Sequence, residues 1–433
     1  MNYSSIIMII LLTNKNVCAI MFIILMLRSN YMIVKQYIKD FEKLGFGMFV
    51  HFGLYSTMCR GEWIKHMDNI PQEEYQKALA NFKVSKNWAH ELVRHAKIAG
   101  CKYITITTRH HDGFSLYDTC GLNEYDAPHS AAGRDLIREF VDECNKQGIV
   151  PFFYHTLIDW WHPEFSTEDE GKFKRYLKYL RDSVEILCTK YGKIGGLWFD
   201  GWWGNKTGDW EFDELYALIR KHQPEAMIIN NTGMGDEIGT VGHPEIDSVT
   251  YERGKPRAMD YSNCPKYVAS EMCEVFGETW GFANRDLSYK PVSQILKTLI
   301  YCRRVKANLL LNIGPMGNGL LCDIDKGYLK KIGEWTKKND PAIRDVDYVD
   351  TFVSGEDDFV MYDNTNKCYY LFIYNSNGED ISFDIDKKVK SITYLDNGEK
   401  VEFAQESNRV TFNKAKFIYA INYIVRVVKI DVE

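Results

Sequence analysis

The chain has 433 residues, enough for one large domain and a smaller one. Hydrophobic residues make up 45% and charged residues 26%, an ordinary globular balance with a large core. The formal net charge of −6 argues against a nucleic-acid or anionic-membrane partner. Aromatic residues reach 14%, with 27 Tyr and 10 Trp. Sugar-binding clefts are one sink for them, because aromatic faces stack on the apolar faces of pyranose rings; packing is the other and commoner one. The 11 cysteines show no CxxC pair and no His-flanked cluster, so no zinc spacing is present and no structural metal is expected. Cys101, Cys144, Cys188 and Cys302 fall in apolar helix or strand patterns. They read as reduced core thiols, which points to a reducing, cytoplasmic compartment.

Residues 1–31 form an apolar segment interrupted at Asn14-Lys15-Asn16. A signal peptide wants its positive charge before the apolar run, whereas Lys15 falls inside and Arg28 follows. A spanning helix needs about 20 continuous apolar residues, which the break denies. Met32 opens a stretch that reads like a cytosolic start, so residues 1–31 are expected to be a mis-called start or a weak anchor; export or anchoring stays open.

From Met32 the pattern is regular. Ile33 to Leu44 has helical spacing, and Gly47 to Phe52 is a short apolar strand. Ser85 is placed to cap a helix with Trp88, Ala89, Leu92, Val93 and Ala96 on one face, stopped by Gly100. Tyr103–Thr107 is β-rich. A helix over 134–147 stopped by Gly148, a strand from Ile149 to Tyr154 and a long helix from Phe173 to Tyr191 follow. Gly195 to Phe199 is a buried strand, then a helix runs from Phe212 to His222. Strands at 227–230, 248–251, 268–272 and 308–313, with helices at 292–304 and 325–338, complete the run. Eight short strands alternating with helices or long loops imply parallel strands and a (β/α)8-like barrel over residues 32–340. An open doubly wound sheet is the competing fold, but no G-x-G-x-x-G follows the first strand.

After Pro341 the chain turns to short alternating strands at 359–362, 369–374, 381–385, 391–394, 410–412 and 421–429, with Asn397-Gly398 as one turn. Residues 341–433 therefore read as a C-terminal antiparallel β-sandwich without candidate chemistry.

The predicted strand ends carry His51, His110 and His111, Tyr154, Asp200, Asn231, Glu252, Glu271 and Asn312, and barrel enzymes place their chemistry there. The central stretch is Lys193 to Gly201, in which Asp200 ends a strand and Trp202-Trp203 follow. A carboxylate that must attack a sugar suits this place; a helix N-cap is the plain alternative. His110 and His111 both face a pocket only if the backbone there has left the strand period. Imidazoles read sugar hydroxyls; a metal pair is the other reading, though no third ligand has suitable spacing. His51 reads equally as a structural histidine. Glycoside hydrolysis needs two carboxyls. Asp200 is the first, and Glu252 and Glu271 are equal candidates for the second.

Five stretches resemble the α-L-fucosidases of glycoside hydrolase family 29: Gly47-Met-Phe-Val-His-Phe-Gly-Leu-Tyr-Ser56, Gly61-Glu-Trp63, Arg109-His-His-Asp-Gly-Phe-Ser-Leu-Tyr-Asp-Thr119, Gly196-Leu-Trp-Phe-Asp-Gly201 and Asn308-Leu-Leu-Leu-Asn-Ile-Gly-Pro315. They occur in the family's order. The resemblance implies a barrel followed by a β-sandwich, with Asp200 as nucleophile and Glu252 as acid/base, Glu271 in reserve. It implies sugar contacts from His51, Glu62, Trp63, His110, His111, Tyr154, Trp198 and Trp280, with Glu271 counted among the binding residues. It also implies a retaining double displacement on terminal α-L-fucose of a fucosylated oligosaccharide or glycoconjugate, with no cofactor. One departure stands out: some relatives carry an arginine after the fifth strand, where this chain reads Asn230-Asn-Thr-Gly233. The alternatives are a catalytically silent fucose-binding protein on the same scaffold, or a retaining glycosidase for a related sugar such as galactose.

Overall fold

The computed structural model describes residues 32–232, 239–262, 264, 266–416, 418 and 425–433. The N-terminal segment 1–31 lies outside them. Eight parallel strands close into a barrel: β1 (Phe46–Val50), β2 (Tyr103–Arg109), β3 (Val150–Thr156), β4 (Gly196–Asp200), β5 (Met227–Asn230), β6 (Ser248–Glu252), β7 (Ala269–Val275) and β8 (Ala307–Ile313). Each pairs with the next, and β8 returns to β1 with Met48 opposite Leu311. Both faces of these strands are covered, which is why they read as near-continuous apolar runs.

Outside the strands pack α1 (Gln36–Leu44), α2 (Trp88–Ala99), α3 (Leu136–Gln147), α4 (Glu170–Lys190), α5 (Phe212–His222), α6 (Val292–Arg304) and α7 (Asp323–Asn339). The expected helix ends are met to within about three residues. Ser85 is the exception: α2 starts after Asn87, and the Ser85 hydroxyl accepts from the Asn87 N–H instead of capping the helix. α1 closes the N-terminal mouth of the barrel, where Phe41 packs on Tyr103 and Phe152 at 5.5 and 5.6 Å. Aromatic rings fill the interior above it: Tyr103, Phe152, Tyr154, Phe49 and Trp198. This crowding explains a glycine in the central stretch. A Cβ at Gly196 would lie 2.5 Å from the Met227 carbonyl oxygen and 2.8 Å from the Phe152 ring.

The C-terminal part has two antiparallel sheets. The larger has the order β14 (Lys400–Val401), β13 (Val389–Tyr394), β17 (Arg426–Val432), β11 (Tyr369–Ile373), β10 (Phe359–Asp363), β9 (Val346–Val349). The smaller has the order β12 (Asp380–Asp384), β16 (Arg409–Asn413), β15 (Phe403–Glu406). Three strands, β9, β14 and β15, were not anticipated; β14 has two residues and β15 alternates without a strong apolar run. Part of the expected strand at 421–429 lies outside the described residues. Val360, Leu371, Phe383, Val410 and Phe412 fill the space between the sheets. The opposite face of the large sheet, with Phe359, Met361, Phe372 and Val427, joins the barrel core. There the indole of Trp335 on α7 donates to the Val425 carbonyl at 2.9 Å. Among the described residues no helix is long and apolar enough to cross a membrane.

Candidate active site

A cavity of about 190 Å³ opens at the C-terminal ends of the barrel strands. Its lining includes His51, Trp63, His110, His111, Tyr154, Trp198, Asp200, Glu252 and Trp280. Phe49, Trp203, Asn231 and Cys273 complete it.

Asp200 is the last residue of β4. Gly201 takes φ +95°, a left-handed turn that lets the chain leave the strand at once. The short 3-10 helix that follows, Trp202–Asn205, is capped by Gly201 and not by Asp200. The carboxylate is engaged elsewhere. Oδ2 accepts from the Tyr154 hydroxyl at 2.9 Å and lies 3.5 Å from His111 Nε2, while Oδ1 accepts from Asn231 Nδ2 at 3.3 Å. Burial alone would raise the proton affinity of Asp200, but the His111 and Tyr154 contacts outweigh it and hold the carboxyl below its usual range.

Glu252 ends β6 and shares the same amide: Asn231 Nδ2 donates to its Oε2 at 2.7 Å. Burial, then the negative charge of Asp200, push Glu252 up to about 7. The two carboxylates therefore titrate far apart although they line one cavity.

His51, His110 and His111 all line the cavity. The β2–β3 register shifts between Thr107 and Arg109, so the chain leaves the strand period just before His110 and His111. His111 Nδ1 meets Thr156 Oγ1 at 2.7 Å. The Thr156 hydroxyl also donates to the Ile158 carbonyl at 2.8 Å, and the other ring nitrogen of His111, Nε2, faces Asp200. His110 is buried, and among the described residues its Nδ1 meets no hydrogen-bond partner. Burial, then its neighbours His111 and His51, hold it well below its usual proton affinity. His51 Nδ1 sits 2.7 Å from Asn312 Oδ1. Because Asn312 Nδ2 donates to the Trp280 carbonyl, Oδ1 is the acceptor and His51 Nδ1 carries the proton. Burial lowers His51 to about 3, so the ring is neutral and Nε2 is an acceptor. Among the described residues no group of three or more His, Cys, Asp or Glu is arranged to hold a metal ion.

Two expected binding residues stand outside the cavity wall. Glu271 lies deeper in the barrel, where Tyr103 donates to one oxygen at 2.5 Å and the Trp198 indole to the other at 2.9 Å. The β6–β7 register gives the reason: Glu252 is opposite Cys273 and Thr250 is opposite Glu271. Glu271 is thus two residues, roughly 6–7 Å, below the level of Glu252, and Cys273 takes the lining position. Glu62 stands behind the wall, its Oε2 accepting from the backbone N–H groups of Trp280 and Gly281 at 3.0 and 2.8 Å. It fixes the loop that carries Trp280. Sequence reasoning overlooked Asn231, Trp203, Phe49 and Cys273 as wall residues. Asn231 was visible as a polar strand end, and Trp203 as half of the Trp pair after Asp200; Trp63 stacks on it at 5.6 Å.

The family model described as alpha-L-fucosidase matches residues 30–341. The chain belongs to the α-L-fucosidase family. It is a glycoside hydrolase, acting on O-glycosyl bonds. It is 25% identical to human tissue alpha-L-fucosidase over 333 residues, covering 70% of this chain and 68% of that protein. With the mouse tissue enzyme the identity is 26%, covering 70% of each. Among solved structures, alpha-L-fucosidase isoenzyme 1 from Paenibacillus thiaminolyticus is 28% identical with a TM-score of 0.80, covering 92% of this chain and 99% of that one. A Bacteroides thetaiotaomicron alpha-L-fucosidase, solved as a trapped covalent intermediate with 2-fluoro-fucosyl fluoride, shares the fold at 22% identity and a TM-score of 0.78, covering 94% of this chain and 98% of that one. The two solved structures share the fold over 92% and 94% of this chain.

Proposed function

We propose that this protein is a retaining exo-α-L-fucosidase that removes terminal α-L-fucose from fucosylated glycans by double displacement. The observation that carries this reading is the carboxylate pair. One amide nitrogen lies 3.3 Å from Asp200 and 2.7 Å from Glu252, so the two oxygens it bridges are within about 6 Å of each other across one cavity. This closeness supports a retaining pair, whose carboxyl groups stand about 5–5.5 Å apart and in which one member attacks the sugar directly.

Asp200, kept ionised, attacks the anomeric carbon while Glu252, which holds its proton below about pH 7, protonates the leaving oxygen. The attacking oxygen is Oδ1: Oδ2 is held by Tyr154 and His111, whereas Oδ1 has one longer contact. Glu252 then takes a proton from water, whose oxygen attacks the same carbon and releases Asp200. Two inversions give net retention. The neutral rings of His51 and His110 accept from sugar hydroxyls, and Trp63, Trp198 and Trp280 supply apolar faces. The cavity, at about 190 Å³, is below the roughly 300–1,000 Å³ of drug-sized ligand sites, which suits one terminal sugar ring and exo action. The trapped intermediate of the Bacteroides enzyme supports a covalent route in a protein of the same fold.

A panel of nitrophenyl glycosides tests the reading, with the first-formed sugar followed by NMR. Release of α-L-fucose from the α-L-fucoside is expected. No turnover would indicate the silent binder, preference for a galactoside would redirect the substrate, and β-L-fucose as first product would exclude retention.

A further inference from the structure

Asn231 follows β5 and is 2% exposed. Its backbone N–H donates to the Phe199 carbonyl at 2.8 Å, tying it to the strand that ends in Asp200. Its side chain reaches Thr250, Glu252 and Asp200. Thr250 Oγ1 donates to Oδ1 at 2.9 Å, and Nδ2 donates to Glu252 Oε2 at 2.7 Å and to Asp200 Oδ1 at 3.3 Å. Ionised Asp200 favours this orientation: turned over, the amide would set its oxygen, not an N–H, against that carboxylate.

We propose that Asn231, anchored by Thr250, is a positioning residue that decides which oxygen of Glu252 delivers the proton and strengthens Glu252 as an acid. The inference rests on Glu252 being the acid/base. With Oε2 occupied by an N–H donor, the proton of neutral Glu252 resides on Oε1. As that proton moves to the leaving oxygen, Glu252 becomes a carboxylate and the bond from Asn231 becomes charge-assisted, hence about twice as strong. The interaction is stronger after proton transfer than before it, which is the condition for lowering a barrier. The other groups facing Glu252 do not reproduce this. Asp200 is negative and opposes loss of the proton, Cys273 is a thiol kept protonated by burial, and His111 and Arg253 favour the carboxylate through charge, without the directional bond to Oε2 that Asn231 makes.

The test compares two fucosides, one with a sugar leaving group that needs protonation and one with a 2,4-dinitrophenyl group that does not. Asn231→Leu is expected to lose about 100-fold in kcat/KM on the first and less than about tenfold on the second. Its alkaline limb should move to higher pH, because the deprotonated form of Glu252 has lost a donor. Thr250→Val leaves Asn231 in place and should show the same pattern at smaller size, so the inference survives testing even if the first variant folds poorly. Equal losses on both substrates with an unmoved limb would mean that Asn231 only shapes the cavity, and would overturn the proposal. Azide rescue of Glu252→Ala checks the acid/base reading separately: if it succeeds while Asn231→Leu behaves like wild type, only the positioning role fails.

Discussion

Glu252 and Glu271 make an instructive pair. Glu271 is buried and Glu252 half-buried near the ends of neighbouring strands, and loss of solvent raises both to about 7. Their surroundings differ. Glu271 has a donor on each oxygen, Tyr103 and the Trp198 indole, and is not part of the wall of the cavity that holds Asp200. Glu252 faces the cavity, accepts from the Asn231 amide on Oε2, and owes part of its raised proton affinity to a second carboxylate, Asp200. A perturbed carboxyl is therefore not by itself a catalytic one. What separates the two is a place on the cavity wall and a charged partner whose proton affinity shifts in the opposite direction.

That contrast can be broken most severely at Asp200. Asp200→Ala should lower kcat on a nitrophenyl fucoside by about 10⁴-fold or more while leaving thermal unfolding nearly unchanged, since the carboxylate sits at a strand end. Retention of more than about a hundredth of wild-type kcat would remove it as nucleophile. Added azide should give a fucosyl azide of inverted configuration with this variant. The pH profile sharpens the contrast next. Glu252 must carry its proton in the first step, so kcat/KM should fall about tenfold per pH unit above about 7. Asp200 must be ionised, and its lowered proton affinity puts the acid limb below the ordinary carboxylate range. Glu271→Gln should leave the alkaline limb where it is; a moved limb would assign that limb to the deeper glutamate. The smallest effects belong to Glu271→Ala. It leaves the Tyr103 hydroxyl and the Trp198 indole without their acceptor, costing about 1–3 kcal/mol in denaturant unfolding. KM should rise a few-fold as Trp198 loses its anchor, with kcat near wild type.

Much of this was legible in the chain. The eight strands announce themselves as short apolar runs because both faces of a parallel barrel are covered. Asp200 could be placed because Gly201 stops the strand immediately after it. His110 and His111 could be placed because adjacent side chains share a pocket only where the strand is broken, as it is at Arg109. The depth of a residue in the barrel was not legible. Glu252 and Glu271 both point inward, and only the register, which sets Cys273 opposite Glu252, shows that Glu271 is a layer lower. Glu62 was misplaced for a related reason: its neighbour Trp63 reaches the cavity, while Glu62 itself is taken up by the backbone of Trp280 and Gly281. Asn231 escaped because its role depends on two carboxylates from other strands. Weak strands such as β14 and β15 escaped because pairing across the sheet, not their own pattern, makes them.

The central claim is that Asp200 and Glu252 act as nucleophile and acid/base of a retaining pair, and azide rescue tests it most directly. In Glu252→Ala a 2,4-dinitrophenyl fucoside still forms the fucosyl-enzyme, because its leaving group needs no proton. Release by water is slow without a base, so kcat and KM should fall together. Azide needs no base and should restore turnover, yielding a fucosyl azide of retained configuration. Glu271→Ala should show no such rescue. Rescue confined to the Glu271 variant, or an azide product of inverted configuration from the Glu252 variant, would contradict the account.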